Sequence, residues 1–345
     1  MYSILNISAE TVDLFKSCFE SNGSQKSLAK IRWQFLESHL NQQFVDIAVD
    51  SENNKTAAIY AIAPVQFHIK REVFTGSQSL DTITDKDYRG QGLFIKLAKD
   101  VYRKAEEQGV KVVYGFPNGS SIHGFRKKLG WQVLDPVPFL IKPLQSRYFT
   151  KKIKALSWLP NIQLAYNTAI SKEISISENF DFPDEVDEIW NSFAKNIEIA
   201  VHRNKEYLTW RYLKKPGENY KILHAYAEAG EYIGYLVYCV KEKHGGKVAY
   251  IMEYVYRPDR ERLATNLLKT AINHIIDQKA DCILAWCMTH SPNYQLFHRS
   301  RFITMPERLR PIELHFGARS FDASLDSIIY NRQNWYLSYS DSDTV

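Results

Sequence analysis

The sequence predicts an α/β (α+β) protein of two tandem domains with one architecture, each a mixed, mostly antiparallel sheet flanked by helices. Three observations predict it. The length, 345 residues, suits about two domains. The chain repeats itself. In each repeat, period-two strand patterns give way to a helical period and then to a short apolar strand.

The repeat justifies each element in turn. Ile31-Arg32-Trp33-Gln34-Phe35-Leu36 matches Leu208-Thr209-Trp210-Arg211-Tyr212-Leu213. Two strand-like runs follow in each half, at 44–49 and 57–69, then at 222–227 and 232–240. The second pair is joined at 228–231, where Gly230 suits a turn. A third strand comes next, at 79–84 or 248–256. Helix-period residues follow: Leu93, Leu97, Val101 and Ala105 in one half, Leu263, Leu267, Ala271 and Ile275 in the other. Each helix feeds a buried-type strand, 110–116 or 282–287, and each half closes in a short helix, 125–131 or 296–302, ending on an aromatic. The offset between matching pieces stays near 170–177 residues, as duplication predicts. The expected organisation is therefore a first domain at 1–142, a linker at 143–171, a second domain at 172–316 and a tail at 317–345. The linker carries Arg147, Phe149, Lys151, Lys152, Lys154 and Trp158. It reads as a solvated connector; its alternative is contact with an anionic membrane surface or lipid-linked sugar.

Composition narrows the function classes. Charged residues make up 24% and apolar ones 45%, a globular balance. The 44 basic and 39 acidic side chains leave +5, spread along the chain, so no nucleic-acid partner is expected. Cys18, Cys239, Cys282 and Cys287 are too few for a disulfide scaffold, and the close pair lacks zinc-site spacing, so buried thiols and no metal are expected. The opening MYSILNISAETVDLF has no basic region followed by an apolar stretch. No apolar run spans a bilayer, since 155–171 is broken by Pro160, Asn161, Gln163 and Asn167. A cytoplasmic protein is expected. Oligomeric state is left open.

The most informative stretch is Thr82-Ile83-Thr84-Asp85-Lys86-Asp87-Tyr88-Arg89-Gly90-Gln91-Gly92-Leu93-Phe94. A β-type run stops, a polar turn follows, and a helix opens. Glycines at 90 and 92 let backbone N–H groups face one concavity, and the helix N-terminus adds about half a positive charge. Together they cradle an anion such as a pyrophosphate; by itself such a loop can also be a plain strand-to-helix turn. Arg89-Gly90-Gln91-Gly92 resembles the coenzyme A loop of the GNAT acyltransferase superfamily. Downstream, Asn118-Gly119-Ser120-Ser121-Ile122 and Lys128-Leu129-Gly130-Trp131 resemble that family's later motifs, in order and spacing. The resemblance covers most of 1–142. It implies acetyl-CoA as cofactor, held by Ile83, Thr84, Arg89, Gly90, Gln91, Gly92, Leu93, Phe94, Asn118 and Ser121. It also implies a strand that splays from its neighbour, freeing an amide near Ile83–Thr84 for the thioester carbonyl. Two departures stand out. Phe94 replaces a small residue and must turn away or pack on the helix. Where many relatives carry a tyrosine acid, this chain has Arg126, or Phe125 when counted from Asn118. The second half reads Tyr256-Arg257-Pro258-Asp259-Arg260-Glu261-Arg262-Leu263 at the matching loop, without glycine, so only the first half is expected to bind coenzyme A.

Acyl transfer to an amine needs a base, an oxyanion donor and two substrates held together. Asp81, and Glu253 at the matching place, are the candidate bases, since a carboxylate in a cleft wall is tuned by desolvation. Each can equally be a salt-bridged strand residue. His123 is a candidate proton shuttle, or simply packs a short helix. Trp335, Tyr336 and Asp341 lie in an aromatic, acidic tail. With Trp210-Arg211-Tyr212, that tail resembles tandem GNAT proteins found with bacterial polysaccharide genes, which implies a small-molecule amine acceptor such as an amino sugar. The tail is expected to fold against the domain cleft and contact a cationic acceptor; the alternative is a frayed end. Two other readings compete with an acyl-CoA-dependent N-acyltransferase. One is an aminoacyl-tRNA-dependent transferase of the cell-wall type, which the intact loop argues against. The other is a non-catalytic coenzyme A-binding scaffold, which the missing tyrosine favours.

Overall fold

Apolar side chains at strand and helix spacing sort the chain into two sheets. The computed structural model describes residues 1–150 and 158–345; the linker residues Lys151, Lys152 and Lys154, and the side chain of Phe149, lie outside the described residues. In chain order the strands are β1 (Tyr2–Asn6), β2 (Phe44–Asp50), β3 (Thr56–Ile69), β4 (Glu72–Ser79), β5 (Ile83–Thr84), β6 (Val112–Gly115), β7 (Gln132–Val133) and β8 (Phe139–Pro143). They continue as β9 (Ile174–Glu178), β10 (Ile199–Val201), β11 (Lys221–Ala227), β12 (Tyr232–Lys243), β13 (Gly246–Tyr256), β14 (Cys282–Trp286), β15 (Ile303–Thr304) and β16 (Gly317–Ser320).

The two sheets have the same order. The first runs β1-β2-β3-β4-β6-β16-β7, with β5 and β10 also on β3; the second runs β9-β11-β12-β13-β14-β8-β15. Most pairs are antiparallel, and β4–β6 and β13–β14 are parallel. The linear domain boundaries need correction at one place in each half. β8 leaves the first half to pair with β14 and β15, and β16 leaves the tail to pair with β6 and β7. The halves thus exchange their last strands. A register cannot be chosen from a short apolar strand alone, because Phe-Leu-Ile-Lys-Pro fits either sheet.

The duplicated Trp segments meet face to face. Trp33 and Trp210 stack with ring centroids 4.5 Å apart. Each indole N–H donates to the other's carbonyl, at 2.9 and 3.2 Å. Helix Leu93–Glu107 covers the first sheet because Leu93, Leu97, Ala98, Val101, Tyr102 and Ala105 fall on one buried stripe. Helices Val12–Ser21 and Leu28–Phe35 cover the other face through Phe15, Phe19, Ile31 and Phe35. Strand β4, mostly polar in Glu-Val-Phe-Thr-Gly-Ser-Gln-Ser, begins well before the expected start at 79. All four cysteines are buried thiols. Arg147 is ion-paired with Asp281, and Trp158 is exposed. No helix among the described residues is long and apolar enough to cross a membrane.

Candidate active site

The site begins where β4 parts from β6. Their parallel pairing ends at Ser79 opposite Gly115. On the other side Ser79 pairs with Ile62, while Ile83 pairs with Ile59. Four steps along one strand therefore match three on the other, which is a β-bulge. Asp81, at φ +53°, takes up the extra residue in the left-handed region. The bulge turns the chain away from β6 and opens a cavity of about 260 Å³. One wall is Ser79, Leu80, Asp81 and Thr82; the other is Gly115 to Asn118 with Ser121; Phe19, Phe125 and Trp131 complete it.

Asp81 stands in this cavity with a side chain only 13% exposed. One carboxylate oxygen meets the Lys26 ammonium, and the other, Oδ2, has no hydrogen-bond partner among the described residues. Burial raises its pKa, and the Lys26 charge holds the rise back. Lys26 is itself seated 4.9 Å above the Phe19 ring.

Beyond the bulge the loop is anchored by Asp85, a residue for which the sequence suggests no role. Its carboxylate accepts from Lys55, Asn22, Ser21 and the Asp87 amide at 3.0–3.2 Å. Burial pushes its pKa up, but these donors outweigh it and hold it low. Gly90 and Gly92 follow at φ +80° and +75°. A Cβ on either would meet no atom of the described residues within 4 Å, which leaves space above both for a ligand. The first hydrogen bond of helix Leu93–Glu107 runs from the Lys96 amide to the Gly92 carbonyl at 3.1 Å, and no side chain caps that end. The amides of Leu93, Phe94 and Ile95 are therefore left for an outside acceptor. An anionic diphosphate fits this set of donors, as does the exposed Arg89, whose Nε lies 3.5 Å from the Thr84 carbonyl.

The loop's side chains divide. Leu93 is buried in the core and Phe94 packs edge-to-face on Phe125 at 5.3 Å, as its bulk required, so both offer a ligand only their amides. The Gln91 side-chain oxygen, Oε1, accepts from the Tyr2 hydroxyl at 2.5 Å. Asn118 caps its own turn: its side-chain oxygen accepts the Ser120 and Ser121 amides at 3.1 Å. It and Ser121 both line the cavity, so the turn role and a site role coexist. Ile83 and Thr84 are half-buried on β5.

Five other candidates are not brought to this cavity. His123 is exposed on helix Ile122–Lys128 and does not line it. Glu253 is fully buried in the second half, where it accepts from Arg203 at 2.9 Å, Tyr336 at 2.6 Å and Ser338 at 3.0 Å. It is a structural ion-pair partner with no access to an acceptor. The tail is likewise buried instead of frayed or facing a ligand. Asp341 is bound at both oxygens by Arg203, at 2.8 and 2.7 Å. Tyr336 and Trp335 are each 1% exposed. The tail folds into the second half's own cleft, with Tyr339 stacked on Trp286 at 4.5 Å. Arg203, which makes this possible, carried no signal in the sequence: a lone arginine reads as surface.

The matching loop of the second half has charged side chains in place of glycines. Arg260 pairs with Glu231 at 3.1 Å and Arg262 with Glu173 at 2.6 Å. Helix Glu261–Asp277 starts with a carboxylate, which repels an anion at its N-terminus.

Comparison with known proteins accords with this geometry. Residues 8–134 match the family described as "Acetyltransferase (GNAT) domain". No curated protein sequence matches the chain. Saccharomyces cerevisiae N-myristoyltransferase with bound myristoyl-CoA is similar in structure, with TM-score 0.61 and 12% identity over 92% of this chain and 82% of that one. A conserved protein of Enterococcus faecalis V583, described as a probable N-acyltransferase, is similar with TM-score 0.63 and 11% identity over 95% of this chain and 75% of that one. At such identities the likeness is one of fold, and it extends over both halves. Residues 8–134 thus carry a match to the GNAT acetyltransferase domain, and the chain as a whole shares its fold with these N-acyltransferase structures.

Proposed function

We propose that the first half binds a short-chain acyl-CoA, acetyl-CoA above all, and transfers the acyl group to a primary amine of a small polar molecule such as an amino sugar. The observation that carries this is the bulge at Asp81. It joins the anion cradle at Gly90 and Gly92 to a cavity holding a largely buried carboxylate. In this reading the loop amides and Arg89 hold the diphosphate. The thioester lies between the diverging strands, and its carbonyl faces the freed backbone beside Ile83 and Thr84. Asp81 attracts the acceptor ammonium and takes its proton through the unpartnered Oδ2. The amine then attacks the carbonyl carbon, the C–N bond forms and the C–S bond breaks. Bound substrates meet in one ternary complex. The cavity volume of about 260 Å³ lies below the range of about 300–1,000 Å³ common for drug-sized ligands, which favours a short acyl group.

The second half shapes the molecule and holds no coenzyme A, because charged side chains replace the glycines of its loop and the tail fills its cleft. Titration of acetyl-CoA into the protein should therefore give one site per chain; two equivalent sites would overturn the assignment. Thiol release from acetyl-CoA in the presence of amino sugars, polyamines, amino acids and peptides tests the activity. Binding with no thiol release for any amine would instead support the scaffold reading, which the phenylalanine at position 125 favours.

A further inference from the structure

A further residue follows from the cavity wall, and it rests on the acyl-transfer reading above. Phe125 occupies the cavity where a tyrosine acid is missing, and Arg126 is exposed. One hydroxyl on the opposite wall is backed by a buried chain. Ser79 Oγ lies 3.3 Å from the Tyr60 hydroxyl, and Tyr60 lies 2.5 Å from the Tyr102 hydroxyl. Tyr102 in turn accepts the indole N–H of Trp131 at 2.8 Å.

The chain has one direction in which every proton is used. An indole N–H only donates. Tyr102 must then send its own proton to Tyr60, the other oxygen within reach. The reverse order would give Tyr102 two donors and strand its proton among the rings of Tyr60, Phe321 and Trp131, which burial penalises. Tyr60 consequently donates to Ser79, which leaves the Ser79 proton for another acceptor, and Ser79 lines the cavity. Burial pushes both phenols' pKa values up, so the chain is one of neutral hydroxyls. The charged groups nearby are Arg319, whose guanidinium lies 5.1 Å over the Tyr102 ring, and Asp81 in the cavity wall.

We propose that Ser79 donates the hydrogen bond that stabilises the departing sulfur of the coenzyme A thioester, with Tyr60, Tyr102 and Trp131 as positioning residues that fix the direction of its proton. As the C–S bond breaks, sulfur keeps the bonding electron pair. Nitrogen loses two protons, one from the ammonium before attack and one as the amide forms; each goes to Asp81 in turn and from there to solvent. Ser79 keeps its own proton, since an aliphatic hydroxyl is a weaker acid than a thiol. Its contribution is to the developing negative charge, and successive donors polarise one another.

Coenzyme A itself, without an acceptor, is the probe. The thiolate's ultraviolet absorbance is titrated against pH for coenzyme A bound to the wild type, to Ser79→Ala and to Tyr60→Phe. The bound thiol should ionise about one pH unit higher in Ser79→Ala than in the wild type, a tenfold change in its acidity. Tyr60→Phe, which removes one oxygen and keeps the ring, should fall between them. Affinity at acid pH, where the thiol is protonated, should stay within about twofold. Equal thiol pKa values in wild type and Ser79→Ala would overturn the donor role. A shift in Ser79→Ala with none in Tyr60→Phe would overturn the directed chain. A wild type that does not bind coenzyme A would overturn the acyl-transfer reading itself, and the relay with it.

Discussion

At the scale of single residues, Asp81 decides whether the cavity is a working site. It is held at φ +53° by the bulge, and one of its oxygens is buried with no hydrogen-bond partner among the described residues. Asp81→Asn should lower kcat by about 10²–10⁴-fold, the range for loss of a general base, while leaving acyl-CoA affinity unchanged. The pH dependence has a definite sign. A base works ionised, and burial raises this carboxyl's pKa. Activity should then be present above that raised value and lost as pH falls through it, at higher pH than an ordinary aspartate near about 3.9. Lys26 holds the rise back, so Lys26→Met should move the acid limb of the kcat profile further up. An unmoved limb in that variant would remove Asp81 from the mechanism. Asp81 was a candidate from the sequence because it stands three residues before Thr84, on the strand that leads into the loop. Glu253 sits at the matching place in the repeat, yet Arg203 claims it. Position in a repeat says nothing of what a distant residue pairs with. Ser79, Tyr60 and Tyr102 were missed for the same reason: their link spans β3, β4 and a helix, and no local spacing encodes it.

At the scale of elements, two helix starts and one tail carry the contrast between the halves. Helix Leu93–Glu107 opens on glycine with free amides, whereas helix Glu261–Asp277 opens among Arg260, Glu261 and Arg262. Gly92→Val should strain the left-handed backbone by about 1–2 kcal/mol. It should also fill the open space above the loop. Loss of one charge-assisted hydrogen bond is about 1.5–3 kcal/mol, roughly tenfold or more in Kd, so acetyl-CoA titration should show at least that weakening. This difference was legible, since glycine content is a local property. The tail was legible only in part. Its docking in a cleft was expected, but the cation that Asp341 meets is Arg203, some 138 residues away, and not an acceptor. Arg203 and Asp341 are both 0% exposed. Arg203 also pairs with Glu253, so removing the arginine leaves two buried carboxylates unpaired and costs about 3–5 kcal/mol. Arg203→Met should therefore lower the melting temperature markedly. Deletion of 334–345 should cost folding outright, not merely acceptor affinity; a truncated protein that melts like the full chain would contradict the network.

At the scale of the whole molecule, duplication was legible but the way the copies join was not. The repeat survives in local hydrophobic periods, which a sequence displays directly. Strand exchange is a choice between two equivalent partners, and the residues of β8 or β16 are compatible with both. The exchange has a thermodynamic consequence. β6 and β7 have β16 between them, and β14 and β15 have β8 between them. β10 is also paired to β3, across the halves. Taking one half away strips the other of an internal strand and exposes unpaired sheet edges on both sides of the gap. It also separates the Trp33–Trp210 stack and its two reciprocal hydrogen bonds. Neither half has a complete sheet alone, so the two should unfold together. Calorimetry of the full chain should give one transition whose measured enthalpy equals the van't Hoff enthalpy, despite a length that commonly supports two domains. Residues 1–142 expressed alone should aggregate or stay unfolded, and co-expression with 143–345 should restore a folded complex, since each fragment then receives its missing strand. Two separate transitions, or an independently stable 1–142, would mean that the sheets are complete without exchange. The coenzyme A site would then belong to the first half alone, not to a molecule that closes it with a strand from the second.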